Sequence, residues 1–261
     1  MKDLFKPFED DYRIYRGMLK HYPVEIIPED KESDQNLGKP HDPLEKPYNE
    51  HDELIKLPDP KEVELKKTDF FKIIEERRSR RVYEEKPISL KELSFLLWAT
   101  QGVKQKIKVK NGETSFRTVP SAGARHPFET YLYVNNVESL EKGLYRYLPF
   151  EHSLLKIKTG NFEKEMIEGT YGQTFCGKAP VTFIWSCIPY RTEWRYGYIS
   201  HKPILLDGGH LCQNLYLACE ATGLGTCAVA AYDQKKMDEF LEIDGFDEMT
   251  VYISPVGKVK E

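Results

Sequence analysis

The sequence predicts an α+β fold. Its strand signals come partly in a run between 128 and 188, and its helix signals do not alternate strictly with them, which argues against a doubly wound parallel sheet. At 261 residues the chain can hold one large domain or two small ones with a sizeable interior. Its 16 tyrosines and 13 phenylalanines are too many for a chain that stays unfolded. Lysine and arginine total 38 against 42 acids, and the net charge of −4 gives no general attraction to nucleic acid or to an anionic membrane. Neither is expected as a partner, so any basic site must be local.

Taken in order, Leu4, Phe5, Phe8, Tyr12, Ile14 and Tyr15 fall at roughly helical spacing and predict a short amphipathic helix before Lys20. This stretch lacks the uninterrupted apolar run of a secretion signal or membrane span, so a soluble, cytoplasmic protein is expected. From His21 to Lys61 prolines and charges dominate, predicting an extended arm with little regular structure that packs along a surface, its own or a partner subunit's. Residues 1–61 therefore read as helix and arm, and 62–261 as the main domain. Near Asp69 the main domain opens with Phe70, Phe71, Ile73 and Ile74, which predict a helix continuing to Arg81. Ser89 and Glu92 have capping-box spacing ahead of Leu90, Leu93, Leu96, Leu97 and Trp98, predicting a helix that ends near Gly102. Alternation on both sides of Asn111-Gly112 predicts a hairpin. Strands are expected over 128–134, 143–147, 154–158, 181–188, 227–231 and 249–256, and the longest helix over 204–222. Two adjacent glycines, Gly208 and Gly209, each cost about 1 kcal/mol inside a helix. They imply either close approach of another helix, across a dimer axis in one version, or a kink. Five cysteines without a C-x-x-C pair read as reduced, mostly buried thiols.

Three segments carry candidate chemistry. Arg77-Arg78-Ser79-Arg80-Arg81 offers four guanidiniums and a hydroxyl at the expected end of a helix. Cations there complement the negative helix end while staying solvated, yet forked guanidinium donors also match a phosphate monoester. Pro120-Ser121-Ala122-Gly123-Ala124-Arg125-His126-Pro127 is a stiff loop of small residues that lets backbone press against a flat ligand. Lys258, just past the last strand, is either a frayed tail or a second contact to the same phosphate. Gly223-Leu224-Gly225-Thr226-Cys227-Ala228 matches G-x-G-x-x-A formally, but a helix precedes it and a strand follows, the reverse of a dinucleotide fingerprint. Gly223 and Gly225 read instead as a helix stop and a tight turn. No Walker loop, H-E-x-x-H or G-x-S-x-G appears, so metal hydrolysis, nucleotide-driven chemistry and serine acyl transfer lack a starting set of residues.

In sequence order, Arg77-Arg78-Ser79-Arg80-Arg81-Val82-Tyr83, Pro120-Ser121-Ala122-Gly123-Ala124, Gly223-Leu224-Gly225-Thr226 and Pro255-Val256-Gly257-Lys258 resemble the nitroreductase family. Gly143-Leu144-Tyr145-Arg146-Tyr147, Arg195-Tyr196-Gly197 and Gly209-His210 with Gln213-Asn214-Leu215 resemble its SagB-type dehydrogenase subgroup. The resemblance implies a nitroreductase-like α+β fold with a central, mostly antiparallel sheet flanked by helices, a homodimer, and FMN at the subunit interface. It places Arg77, Arg78, Ser79, Arg81 and Lys258 on the phosphate and ribityl end. Pro120, Ser121, Ala122 and Gly123 would lie along the ring, and Ala228, Val229 and Ala230 would face its N5 side. The implied activity is hydride transfer through the flavin to or from a small organic substrate, with NAD(P)H as a candidate donor. Azoline dehydrogenation of modified peptides and flavin binding without turnover are the alternatives. Azole-forming members carry a Lys-Tyr pair where this chain has Arg195-Tyr196. Arginine does not deprotonate near neutral pH, so Arg195 would orient or stabilise charge instead of acting as a base. Isolated histidines such as His126, His201 and His210 serve more often as structural hydrogen-bonders.

Overall fold

The strands that alternate in sequence pair into one sheet. In a computed structural model that describes Leu19, residues 32–109 and residues 112–259, β1 (Leu54–Lys56), β4 (Phe128–Val134), β5 (Gly143–Leu148), β6 (Ser153–Thr159), β7 (Val181–Cys187), β8 (Leu224–Thr226) and β9 (Met249–Lys258) lie in the order β1-β6-β5-β4-β7-β9-β8. Every neighbouring pair is antiparallel. β2 (Val103–Val109) and β3 (Gly112–Arg117) form a separate hairpin, as Asn111-Gly112 predicts, with Asn111 itself outside the described residues. The helix expected before Lys20 also lies outside them, apart from Leu19.

Period-two alternation sends the two faces of the sheet into two cores. From β4, Phe128, Leu132 and Val134 join Leu93, Leu96 and Leu97 of α2 (Leu90–Gln101) and Leu211, Leu215 and Cys219 of α6 (His201–Thr222). Tyr131 and Tyr133, one residue out of phase, face Met166 of α3 (Glu163–Gly169), Cys176 of α4 (Thr174–Lys178) and Met237 and Phe240 of α7 (Gln234–Leu241). Each fully buried side chain of this size contributes about 1.5–3 kcal/mol, so both layers are needed. The fold is α+β, as expected. All five cysteines are buried and unpaired.

Several boundaries differ from the sequence expectation. α1 (Phe70–Glu76) is capped by Asp69, whose carboxylate accepts from Phe71 and Lys72 N–H, but it stops at Arg77 and does not reach Arg81. Seven residues make a marginal helix. Beyond it the chain pairs with the three-residue edge strand β8: Ser79 bridges Thr226 in parallel and Arg80 N–H donates to Thr226 O at 2.9 Å. The strand expected over 227–231 lies earlier, because Gly223 closes α6 in the left-handed region (φ 73°) and leads straight into Leu224. Val229 keeps only a bridge to Ile253. α6 runs unbroken through Gly208 and Gly209. A Cβ at Gly208 would lie 3.1 Å from the Phe128 ring, so the close approach is to the sheet, while one at Gly209 would meet nothing within 4 Å.

The arm from residue 32 lies along its own chain. β1 extends the sheet at β6, Arg117 donates to Leu44 O, Arg146 donates to Lys46 O and Pro47 O, and Lys46 pairs with Glu248 at 2.5 Å.

Candidate active site

The arginine segment is extended, so successive side chains leave on opposite sides. On one side the Arg77 guanidinium sits 5.2 Å from the ring centre of Tyr216 on α6, and Ser79 Oγ lies 2.9 Å from the Tyr216 hydroxyl. That hydroxyl also accepts the Ala228 N–H at 2.8 Å. On the other side Arg80 reaches Glu220 at 3.3 Å, and Arg78, Arg80 and Lys258 line a cavity of about 780 Å³. Glu84 N–H donates to Lys258 O, which ties the end of β9 to the arginine segment, while Lys258 Nζ pairs with Glu92 at 3.0 Å. The chain end therefore lies beside the segment, with Lys258 Nζ directed to Glu92. The basic set is divided, however, with Arg77 and Ser79 facing Tyr216 and Arg78 with Lys258 facing the cavity. Arg77, Arg78 and Arg81 have no carboxylate within ion-pair distance among the described residues, and Arg78, Ser79 and Arg81 are exposed.

The Pro120–Pro127 loop is held in a strained form. Gly123, Ala124 and His126 all have positive φ (57°, 53° and 47°), a region that costs non-glycine residues about 1–3 kcal/mol each. Asp207, buried on α6, fixes the loop: its carboxylate accepts from Ser121 Oγ at 2.6 Å and from Ala122 N–H at 3.1 Å. Ser121 Oγ in turn accepts His126 N–H at 2.8 Å. Burial raises the Asp207 carboxyl above its ordinary range, and the two hydrogen bonds oppose that rise. Burial, reinforced by the Arg117 guanidinium, pushes the His126 imidazole down to about 3, so the ring is neutral near pH 7, and its Nε2 lies 3.1 Å from Ser115 O. Arg195 and Tyr196, at the end of α5 (Tyr190–Tyr196), meet this loop at Gly123. A Cβ at Gly123 would sit 2.7 Å from Arg195 Cδ and 2.9 Å from the Tyr196 hydroxyl, so only glycine admits the pair so closely. Arg125 donates to Gly123 O at 3.1 Å and lies over the Trp194 ring at 5.1 Å.

In the third segment Ala228 N–H is committed to Tyr216, and Val229 exchanges both backbone hydrogen bonds with Ile253. Ala230 is exposed, and its N–H makes no hydrogen bond among the described residues. Tyr216 and Asp207 are the two residues that the sequence reading missed. They lie nine positions apart on one helix, a rise of about 13–14 Å, and connect the arginine segment and the strained loop to a common support. A polar Asp207 interrupting the apolar face of α6 is the signal that was available. Among the described residues no three His, Cys, Asp or Glu side chains gather as a metal site, and no helix is long and apolar enough to cross a membrane.

Comparison with known proteins identifies the frame that carries these groups. The profile of the nitroreductase family matches residues 74–258. The chain belongs to the nitroreductase family. A Methanocaldococcus jannaschii protein with a provisional nitroreductase name is 35% identical over 204 residues, covering 78% of this chain and 96% of its own. The trifolitoxin-processing protein TfxB of Rhizobium leguminosarum bv. trifolii is 30% identical over 142 residues, 52% of this chain but only 38% of that protein. A crystal structure of a provisional nitroreductase from Ralstonia eutropha superposes with a TM-score of 0.65 at 24% identity, covering 85% of this chain and 98% of that one. Membership in the nitroreductase family, with a nitroreductase-named relative that matches over most of both chains, supports an oxidoreductase at the level of reaction class.

Proposed function

We propose that this chain is an FMN-dependent oxidoreductase that passes hydride to or from a small organic substrate. The observation that carries the reading is the Tyr216 hydroxyl, which joins Ser79 to the Ala228 N–H and so puts the arginine segment and the 228–230 backbone on one side. Arg77, Arg78, Ser79 and Arg81, joined by Lys258, hold the flavin phosphate and ribityl end. The fit rests on donors free for an anion: Arg77 lies on an aromatic ring, and neither Arg77 nor Arg81 is tied to a carboxylate. Pro120, Ser121, Ala122 and Gly123 pass along the ring, held by Asp207, and the backbone at 228–230 approaches from the other strand end. Bound FMN supplies reversible hydride uptake at N5, and the protein supplies binding, orientation and exclusion of water. Arg195 and Tyr196 sit where substrate meets the loop, Tyr196 as a proton donor or acceptor and Arg195 as a fixed positive charge.

Two copies complete the site in this reading. The outer face of α6 leaves Leu205 and Leu206 64% and 55% exposed beside the open Gly209, an apolar strip suited to a second α6. Replacing both leucines with glutamate is expected to give monomers by light scattering that lack flavin.

The first test is the absorption spectrum of the purified protein, which should show bound flavin. Arg77→Ala with Arg81→Ala should remove the colour without unfolding the chain, and retention of full flavin content in that variant would overturn the phosphate assignment. Likeness to a trifolitoxin-processing protein, together with Tyr196 at Gly123, favours one specific version: azoline dehydrogenation of a modified peptide. Tyr196→Phe should then reduce turnover about 10²-fold or more while FMN stays bound. Rapid anaerobic bleaching by NAD(P)H, unchanged in that variant, would instead select a general nicotinamide-driven reductase.

A further inference from the structure

α5 presents Arg195 and Tyr196 to the strained loop, yet it is seven residues long, and a helix of that length is held by packing and not by its own hydrogen bonds. Its buried aromatic side chain, Trp194, is 1% exposed and belongs to neither of the two cores formed by the described residues. The arm takes their place. Trp194 Nε1–H donates to Lys39 O at 2.8 Å, Trp194 O accepts Gln35 N–H at 2.8 Å, and the Tyr190 hydroxyl, one turn earlier, donates to Asp34 at 2.8 Å. His41 closes the contact edge-on, its ring centre 5.5 Å from that of Trp194. The body of the fold grips α5 at its other end, where buried Arg191 pairs with buried Glu129 at 2.6 Å. Even there, the same Glu129 oxygen accepts the arm's Lys46 N–H at 2.9 Å.

The same tryptophan reaches the loop from its other face. The Arg125 guanidinium lies over its ring at 5.1 Å and donates to Gly123 O and to Thr114 Oγ1, each at 3.1 Å, and Gly123 is the residue against which Arg195 and Tyr196 pack. His41 extends the connection to the hairpin. Its Nε2 accepts Glu113 N–H at 3.0 Å, and a Cβ at Gly112 would lie 2.2 Å from that nitrogen, so glycine at the hairpin tip is what seats the ring. Arm, hairpin and loop thus meet around one side chain, two residues before Tyr196. We propose that Trp194 is the positioning residue for the Arg195–Tyr196 pair, and that the arm over 34–41 is the strap that sets it. Because Tyr196 follows on the same short helix, a shift of Trp194 is carried to the phenol, and a displacement of about 1 Å that originates far from the reacting atoms can cost about 10²-fold in rate. The proposal rests on the reading of Arg195 and Tyr196 as the groups that meet substrate.

The test follows Tyr196 itself by nuclear magnetic resonance, in the full-length protein as purified and carrying isotope-labelled tyrosine, with the Tyr196 signal assigned by its loss in Tyr196→Phe. Trp194→Phe keeps a ring beneath Arg125 but loses the donor to Lys39 O, and Tyr190→Phe loses only the hydroxyl on Asp34. Each should shift or broaden the Tyr196 signal while the protein stays folded by circular dichroism and keeps its flavin content. Turnover with NADH as donor and menadione as acceptor should fall about tenfold or more in Trp194→Phe, in kcat and not in KM for NADH. It should fall no further when Trp194→Phe is added to Tyr196→Phe, because the two act through one group. An unchanged Tyr196 signal in both variants overturns the proposal. So does a loss of turnover that adds fully to that of Tyr196→Phe, which is what general weakening of the fold produces. Failure of the underlying reading looks different: the purified protein holds no flavin, or NADH does not reduce it, or Tyr196→Phe leaves turnover unchanged. In each of those cases the Tyr196 signal still decides whether the strap sets the side chain.

Discussion

At the residue scale the loop at 120–127 depends on one carboxylate. Asp207 accepts from both Ser121 and Ala122, and Ser121 passes the constraint on to His126 N–H, so both ends of the stretch that holds three residues with positive φ are fixed by bonds that converge on a single buried side chain. Hydrogen bonds to a charged group contribute about 1.5–3 kcal/mol, so Asp207→Ala should destabilise the fold by about that amount in urea. Asp207→Asn, which keeps an acceptor, should cost less. His126 supplies a second check. Its depressed folded value means that the neutral ring favours folding above the unfolded value of 6.5, and that this contribution is lost as pH falls toward about 3. The His126 ring proton shift should therefore stay constant from neutral pH to about pH 5, and a titration midpoint near 6.5 would refute the buried, neutral assignment. Ser121 and Gly123 were legible because small residues between prolines are a local signal. Asp207 was not, since its partner lies 86 positions away and nothing local pairs them.

At the element scale, legibility follows length and locality. α2 was readable from end to end because its cap is a four-residue pattern and its apolar face repeats over three turns. The five- to eight-residue helices α3, α4, α5 and α7 escaped notice because so short a window barely separates a 3.6-residue period from irregular chain. The arginine segment was misread for a different reason: it leaves the helix to pair with β8, a strand 147 positions later by the Ser79–Thr226 bridge, and that pairing is what separates its two faces. The cap of α2 has a further consequence. Glu92 accepts the Ser89 N–H through Oε2 and holds Lys258 through Oε1, so one residue closes the helix start and ties down the end of β9. Ser89→Ala should cost about 1 kcal/mol, the usual value of a cap. Glu92→Ala should cost more and also increase amide exchange at the β8–β9 pairing, an effect that a purely local cap would not produce.

At the scale of the whole molecule, the arm from residue 32 makes stability depend on pH. Glu45 lies on the arm where it crosses the body, accepting from Phe150 N–H at 3.3 Å. Burial first, and then the neighbouring carboxylates of Glu151 and Glu129, push its carboxyl up to about 8. The buried Arg117 beside it donates to the arm at Leu44 O, and Arg146 holds the next residues at Lys46 and Pro47. Because the folded value lies above the unfolded one, near 4.5, the folded chain binds an extra proton between them. The resulting stability is complete below the unfolded value and is lost as pH rises through about 8. Ionising Glu45 places a third negative charge beside Glu151 and Glu129, and the structure that gives way first should be the arm around Glu45. Wild-type protein should lose on the order of 1 kcal/mol between about pH 6 and about pH 9 relative to Glu45→Gln, which mimics the protonated form. Limited proteolysis should cut within 41–50 faster at the higher pH in wild type alone. Parallel urea curves for the two proteins across that interval, with equal cleavage rates, would mean that the arm is held without regard to the state of Glu45.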